Sequence, residues 1–133
     1  MARLEGLESY HGNAISETST EELELHGIGK VCAMTPNSEV NTLVAQHFGE
    51  LFGRSETYRL VPQGDGHDET PLGEGGRVLF GEDCDFSRMT AEFVADHEVR
   101  TTGLTDEFGW GEYKERHGAT ARLLFLVLSL IHI

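Results

Sequence analysis

No apolar run in this sequence is long enough to cross a bilayer. The longest, residues 123–133, has 11 residues and contains Ser129 and His132. A spanning helix needs roughly 20 apolar residues in a row. No direct membrane insertion by this segment is therefore expected. Basic residues are also scarce: 10 Lys plus Arg stand against 23 Asp plus Glu, for a net charge of −13. Such a surface repels phosphate backbones and anionic headgroups, so nucleic acid is not an expected partner and neither is an anionic lipid face. Cysteine is limited to Cys32 and Cys84, far apart and with no C-x-x-C. No secretory leader precedes them, and the reducing cytoplasm is the expected compartment.

Catalytic and metal signatures are missing as well. There is no G-x-S-x-G elbow and no H-E-x-x-H, the patterns that place a nucleophile or a zinc ion on a helix or turn. The seven histidines are scattered without H-x-x-x-H spacing, and no EF-hand loop occurs. The acidic residues of the 63–76 stretch read as a solvated loop. No catalytic residue and no metal ligand is nominated, and the chain is expected not to be an enzyme. At 38% hydrophobic residues, it is too apolar for a disordered chain.

What is present is an alternation of strand and helix signals. Residues 9–11 form a short strand candidate ending at Gly12. Ser19 and Glu22 make a capping box that opens a helix, stopped at Gly27. Residues 29–35 read as a buried strand, with Cys32 as core packing. Val40, Leu43, Val44, His47, Phe48 and Leu51 recur at helical spacing, with Thr35 as a cap, Pro36 in the first turn and Gly53 as the stop. Residues 56–61 give a third strand, with Tyr58 and Leu60 alternating against charge.

The stretch 63–76 holds five Gly and one Pro and reads as a linker or long loop. After it come a strand at 77–80, a helix capped by Asp85, a strand at 99–104, a helix at 108–117 stopped by Gly118, and an apolar strand at 123–128. The aromatic trio Phe108, Trp110 and Tyr113 reads as core packing by default. The expected fold is α/β: an incomplete Rossmann-like parallel sheet over residues 1–62, the loop at 63–76, and a second small α/β unit over 77–127. Residues 128–133 (LSLIHI) resemble the translation of a common sequencing adapter; a genuine final strand is the other reading.

Three stretches carry a resemblance: Gly12-Asn13-Ala14 after a strand, Ala33-Met34-Thr35-Pro36-Asn37-Ser38-Glu39-Val40-Asn41 opening a helix, and Ala45-Gln46-His47-Phe48-Gly49-Glu50-Leu51-Phe52-Gly53 continuing it. In that order they resemble the later half of the nucleotide-binding regulator domain of potassium channels and transporters, the TrkA-N or RCK-N family. The wording is most similar to the version behind sodium/proton antiporters. Residues 76–81 and 104–108 also look like that antiporter tail.

The resemblance implies a cytoplasmic, nucleotide-sensing regulatory piece of a cell-membrane cation:proton antiporter. Implied partners are an upstream transmembrane antiporter domain and, in the parent, a second copy forming a homodimer. The implied cofactor is NAD(H) or another adenine nucleotide in the intact parent. Gly12, Asn13 and Ala14 would lie near the adenine, and Thr35 and Asn37 at the mouth of the following helix. The glycine-rich G-x-G-x-x-G turn and the acidic ribose partner of such domains are not in the sequence, so this stretch by itself is expected to hold no nucleotide. A free-standing regulator subunit of potassium uptake and a piece of an NAD-dependent oxidoreductase are the competing readings.

Overall fold

The computed structural model describes residues 6, 9–16, 25, 27–64, 75–95 and 97–127. Its centre is a three-stranded parallel sheet of β1 (Val31–Ala33), β2 (Thr57–Arg59) and β3 (Arg77–Val78), in that spatial order. In register, Cys32 pairs with Tyr58, and Tyr58 pairs in turn with Arg77. Helix α1 (Ser38–Phe52) makes the crossover from β1 to β2. Parallel strands need such a connection, because no tight turn can bring a chain back in the same direction. The fold is thus α/β.

Helix α1 starts two residues later than its sequence suggests. Asn37 is the cap, its side chain accepting from the Glu39 and Val40 amides at 3.0 and 3.1 Å. Thr35 does not cap, and Pro36 stands before the cap instead of inside the first turn. Asn outranks Thr at this position because its carbonyl reaches two free amides at once. At the other end Gly53 closes the helix with φ +93°, a conformation that glycine adopts without a Cβ clash.

The rotation of α1 also differs from the amphipathic stripe. Asn41, Val44, Ala45 and Phe48 are buried against the sheet, while Val40, Leu43 and Leu51 are exposed. Ala33, Val44 and Phe48 make the core, flanked by Leu25, Val31 and Phe52. The Phe48 ring takes the His47 ring edge-on at 5.2 Å and stacks on Phe52 at 5.9 Å.

The strand faces are corrected too. Cys32, expected in the core, is exposed, because β1 turns Ala33 toward α1. On β2 the expected apolar-in, charge-out alternation fails. Thr57 and Arg59 are the buried residues, and Arg59 is accommodated by donating Nε to the Gly75 carbonyl at 2.7 Å. A buried guanidinium is tolerated only with such acceptors. Gly76 (φ +76°) lets β3 come in: a Cβ there would stand 2.8 Å from the Thr57 carbonyl oxygen.

Past β3 the chain forms α2 (Phe86–Val94), capped by the Asp85 carboxylate on the Arg88 amide, and α3 (Trp110–His117). Both were legible in their caps. Among the described residues, three expected strands are absent. Residues 9–11, 99–104 and 123–127 are irregular. Their β-forming residues find no ladder partner, and without one the propensity has nothing to act on. The aromatic trio is not core: α3 buries no residue, and Trp110 and Tyr113 stack on each other at 5.6 Å. The expected helix from Ser19, most of the 63–76 loop and the 128–133 tail lie outside the described residues.

Candidate functional site

In an open parallel sheet, ligands enter at the carboxyl ends of the strands. Here that edge is formed by residues 34–37 after β1, 60–62 after β2 and 79–81 after β3. The chain between β1 and α1 is fixed by Asn41, which is fully buried. Its Oδ1 accepts from the Thr35 amide at 2.9 Å and the Thr35 hydroxyl at 2.7 Å, and its Nδ2 donates to the Thr35 carbonyl at 2.9 Å. One amide side chain therefore satisfies both backbone groups of Thr35, as a neighbouring strand would.

This geometry decides what the predicted corner offers. Thr35 Oγ1 is held by Asn41 and also accepts from the Asn37 amide at 3.2 Å. The Asn37 side-chain Oδ1 is occupied by the first amides of α1. Gly12-Asn13-Ala14 is an exposed turn. Asn13 Oδ1 accepts from its own neighbour, the Ile15 amide, at 3.2 Å. Among the described residues no hydrogen bond joins this turn to the Thr35–Asn37 corner. Both sets are thus engaged inside the chain. They provide position and backbone shape, and no vacant hydroxyl or carboxylate for a ribose. The role of Asn41 as the organiser of the corner was visible only as an asparagine in the first turns of a helix.

A second feature lies on the sheet face opposite α1. A cavity of about 320 Å³ is lined by Lys30, Cys32 and Tyr58 from one side and by Leu124, Phe125 and Val127 from the other. Tyr58 is flanked by two cations, with Lys30 Nζ 5.9 Å and the Arg77 guanidinium 5.3 Å from its ring. Lys30 also pairs with Glu56. That hydrogen bond holds the Glu56 carboxyl below the usual range and the Lys30 ammonium above it. Partial desolvation against the cavity wall pushes the Cys32 thiol up, although the residue as a whole is exposed.

The densest electrostatic cluster surrounds Arg122, which sequence reading did not single out. Its guanidinium donates to Glu92 at 2.9 and 3.0 Å, to Asp83 at 3.1 and 3.2 Å, and to the Phe80 carbonyl at 2.8 Å. These bonds hold Glu92 and Asp83 below the ordinary carboxylate range and raise Arg122 further. The nearby Cys84 is fully buried, which raises its thiol, while Arg122 pulls it the other way. No signal in the spacing could have shown that residue 122 returns to residues 80–92. Among the described residues no His, Cys, Asp and Glu group is arranged to hold a metal ion, and no helix is long and apolar enough to cross a membrane. No family model, curated protein or solved structure matches the chain.

Proposed function

We propose that this chain is a regulatory, nucleotide-sensing segment from the cytoplasmic tail of a monovalent cation:proton antiporter, with no catalytic step of its own. The observation that supports it is the placement of the Thr35-Pro36-Asn37 turn. It joins the carboxyl end of β1 to the amino end of α1 in a parallel strand–helix–strand unit, the place where a Rossmann-like domain meets its ligand. The ordered resemblance to antiporter tails runs along this same unit. In the parent, a membrane domain exchanges Na⁺ or K⁺ for H⁺. The tail biases that exchange by binding NAD(H) or a related adenine nucleotide more tightly in one conformation. Val40, Leu43 and Leu51, exposed along one side of α1, give a second copy an apolar face.

The chain alone does not carry the nucleotide in this reading. It has no glycine-rich phosphate cradle, and the Thr35 hydroxyl and Asn37 Oδ1 are engaged internally. Two measurements test the proposal. Calorimetry of NADH against the 133-residue chain should give no heat of binding, and against the chain extended upstream in its own reading frame it should. In everted membrane vesicles, the extended chain should drive Na⁺- or K⁺-dependent recovery of a proton gradient dye, and NADH should change that rate. Asn37→Asp places a charge at the corner. It should weaken the nucleotide effect well beyond any change in melting temperature. An extended frame without transmembrane segments, or antiport indifferent to NADH, would overturn the assignment.

A further inference from the structure

Residues 121–127 cross the face of the sheet that α1 leaves open. Leu124, Phe125, Leu126 and Val127 form one wall of the cavity, and Lys30, Cys32, Tyr58, Val78 and Phe80 the other. The Phe125 ring meets Phe80 edge-on at 5.7 Å. The attachment is uneven along the segment. Residues 123–127 make no hydrogen bond to the sheet among the described residues, and Phe125 and Val127 stay 62% and 84% exposed. The polar attachment is gathered at the start of the segment: the Ala121 amide donates to the His117 carbonyl at 2.8 Å, and Arg122 donates to Asp83, Glu92 and the Phe80 carbonyl. Phe80 is the one non-glycine residue with positive φ among those described, at +60°. A bulky side chain adopts this conformation only when its surroundings impose it. Here it turns the carbonyl onto Arg122 and the ring onto Phe125.

We propose that residues 121–127 are a strap over the sheet, locked at one end by Arg122 and releasable as a unit. A strand added to a sheet is held at every second residue by main-chain bonds. Past the Ala121 amide, which only continues the end of α3, this segment is held by one guanidinium and by apolar contact. Breaking that single attachment frees the whole length and opens the Cys32–Tyr58 face. The strap does not depend on nucleotide binding, and it regulates access to a face that the resemblance does not concern.

Limited proteolysis of the 133-residue chain with chymotrypsin tests it, with fragments identified by mass spectrometry. Cleavage after Phe125 reads the strap. Cleavage after Phe48, buried in the core, reads global opening in the same tube. In Arg122→Ala the rate after Phe125 should rise at least about tenfold while the rate after Phe48 stays within about twofold, because proteolysis tracks local opening. The fluorescence of the apolar probe 1-anilinonaphthalene-8-sulfonate should rise in parallel as the face opens. Glu92→Gln, which keeps the side chain and loses the charge, should give a smaller rise at Phe125 with Phe48 again unchanged. An unchanged rate after Phe125 in both variants overturns the strap. So does a joint rise at Phe125 and Phe48 in both, which would make the Arg122 cluster a staple of the entire fold.

Discussion

Helix α1 faces two strands and buries four of its residues, whereas α2 carries Phe86, Met89, Phe93 and Val94 on one side and buries none. Phe93 and Val94 are 58% and 82% exposed. Of the two helices, α2 has the more sharply segregated apolar side. What separates them is the presence of a sheet to pack on. Around α1 the strands supply a complementary surface, and burial of side chains stabilises the unit. Beyond β3 burial is limited to Leu79 and Cys84, and the rest is held by caps, stacked aromatics and the Arg122 cluster, interactions that are worth less when exposed. A hydrophobic stripe thus reports a capacity to pack. The partner decides whether it is used.

The sharpest way to break this contrast is Phe48→Ala. It removes the ring from the only cluster of buried apolar residues identified in the described part and should cost about 3–5 kcal/mol. Urea titration followed by far-ultraviolet circular dichroism would show most of the helical signal lost with it. A cost under about 1 kcal/mol would mean that the first half has no more of a core than the second.

Asn41→Ala comes next. It leaves the Thr35 amide and carbonyl unpartnered beside a buried site, at about 1–3 kcal/mol for groups left unsatisfied. Thermal denaturation would read the loss. It should exceed that of Thr35→Ala, since the exposed threonine keeps both backbone bonds to Asn41 after its hydroxyl is gone.

Acid should separate the halves without a mutation. Arg122 lowers the folded pKa of Glu92 and Asp83 from ordinary values of 4.5 and 3.8. A depressed folded pKa means that the contribution is complete above those unfolded values and is lost as pH falls through the folded ones. Amide resonances of residues 123–127 should therefore shift and sharpen only as pH falls below those unfolded values, where the Arg122 partners become protonated. Those of Val44, Ala45 and Phe48 should hold, because apolar contact does not titrate. Simultaneous loss of both sets would erase the distinction.

The smallest effect should be Phe93→Ser. An exposed side chain without a packing partner changes stability by about 0.5 kcal/mol or less in either direction. Calorimetric melting of this variant beside Phe48→Ala gives the two ends of the comparison. A loss of several kcal/mol would show that α2 is packed after all.

Sequence reading recovered the parts governed by local chemistry. The α1, α2 and α3 spans, the Asp85 cap and the Gly53 stop follow from residues within a turn of each other. The parallel pairing of β1 with β2 followed from the helix between them. What it missed depends on distant residues. The rotation of α1 is set by Asn41 bonding Thr35, so a polar residue faces inward where the stripe suggested Val40 and Leu43. Arg59 is buried because Gly75 returns to accept its Nε–H. Residues 99–104 and 123–127 have strand-like composition, yet a strand exists only as half of a pair. For the corner itself, the sequence located Thr35 and Asn37 at the right edge of the sheet. It did not reveal that the Thr35 hydroxyl and Asn37 Oδ1 are already engaged.

The order β1–β2–β3 also has a consequence in time. The strand pairing of β1 with β2 and the packing of α1 on both lie between Val31 and Arg59, so these contacts close over short loops and form early, even while the rest of the chain is still being made. β3 must wait for residue 77 and then enter beside Thr57 at a spot that only a glycine can occupy. Gly76 is therefore a late checkpoint on assembly. A side chain there leaves the early unit intact and halts the chain with β2 as an open edge. Edges of that kind recruit strands from other molecules. The cost of such a change would appear first as aggregation during synthesis, ahead of any defect in the finished protein.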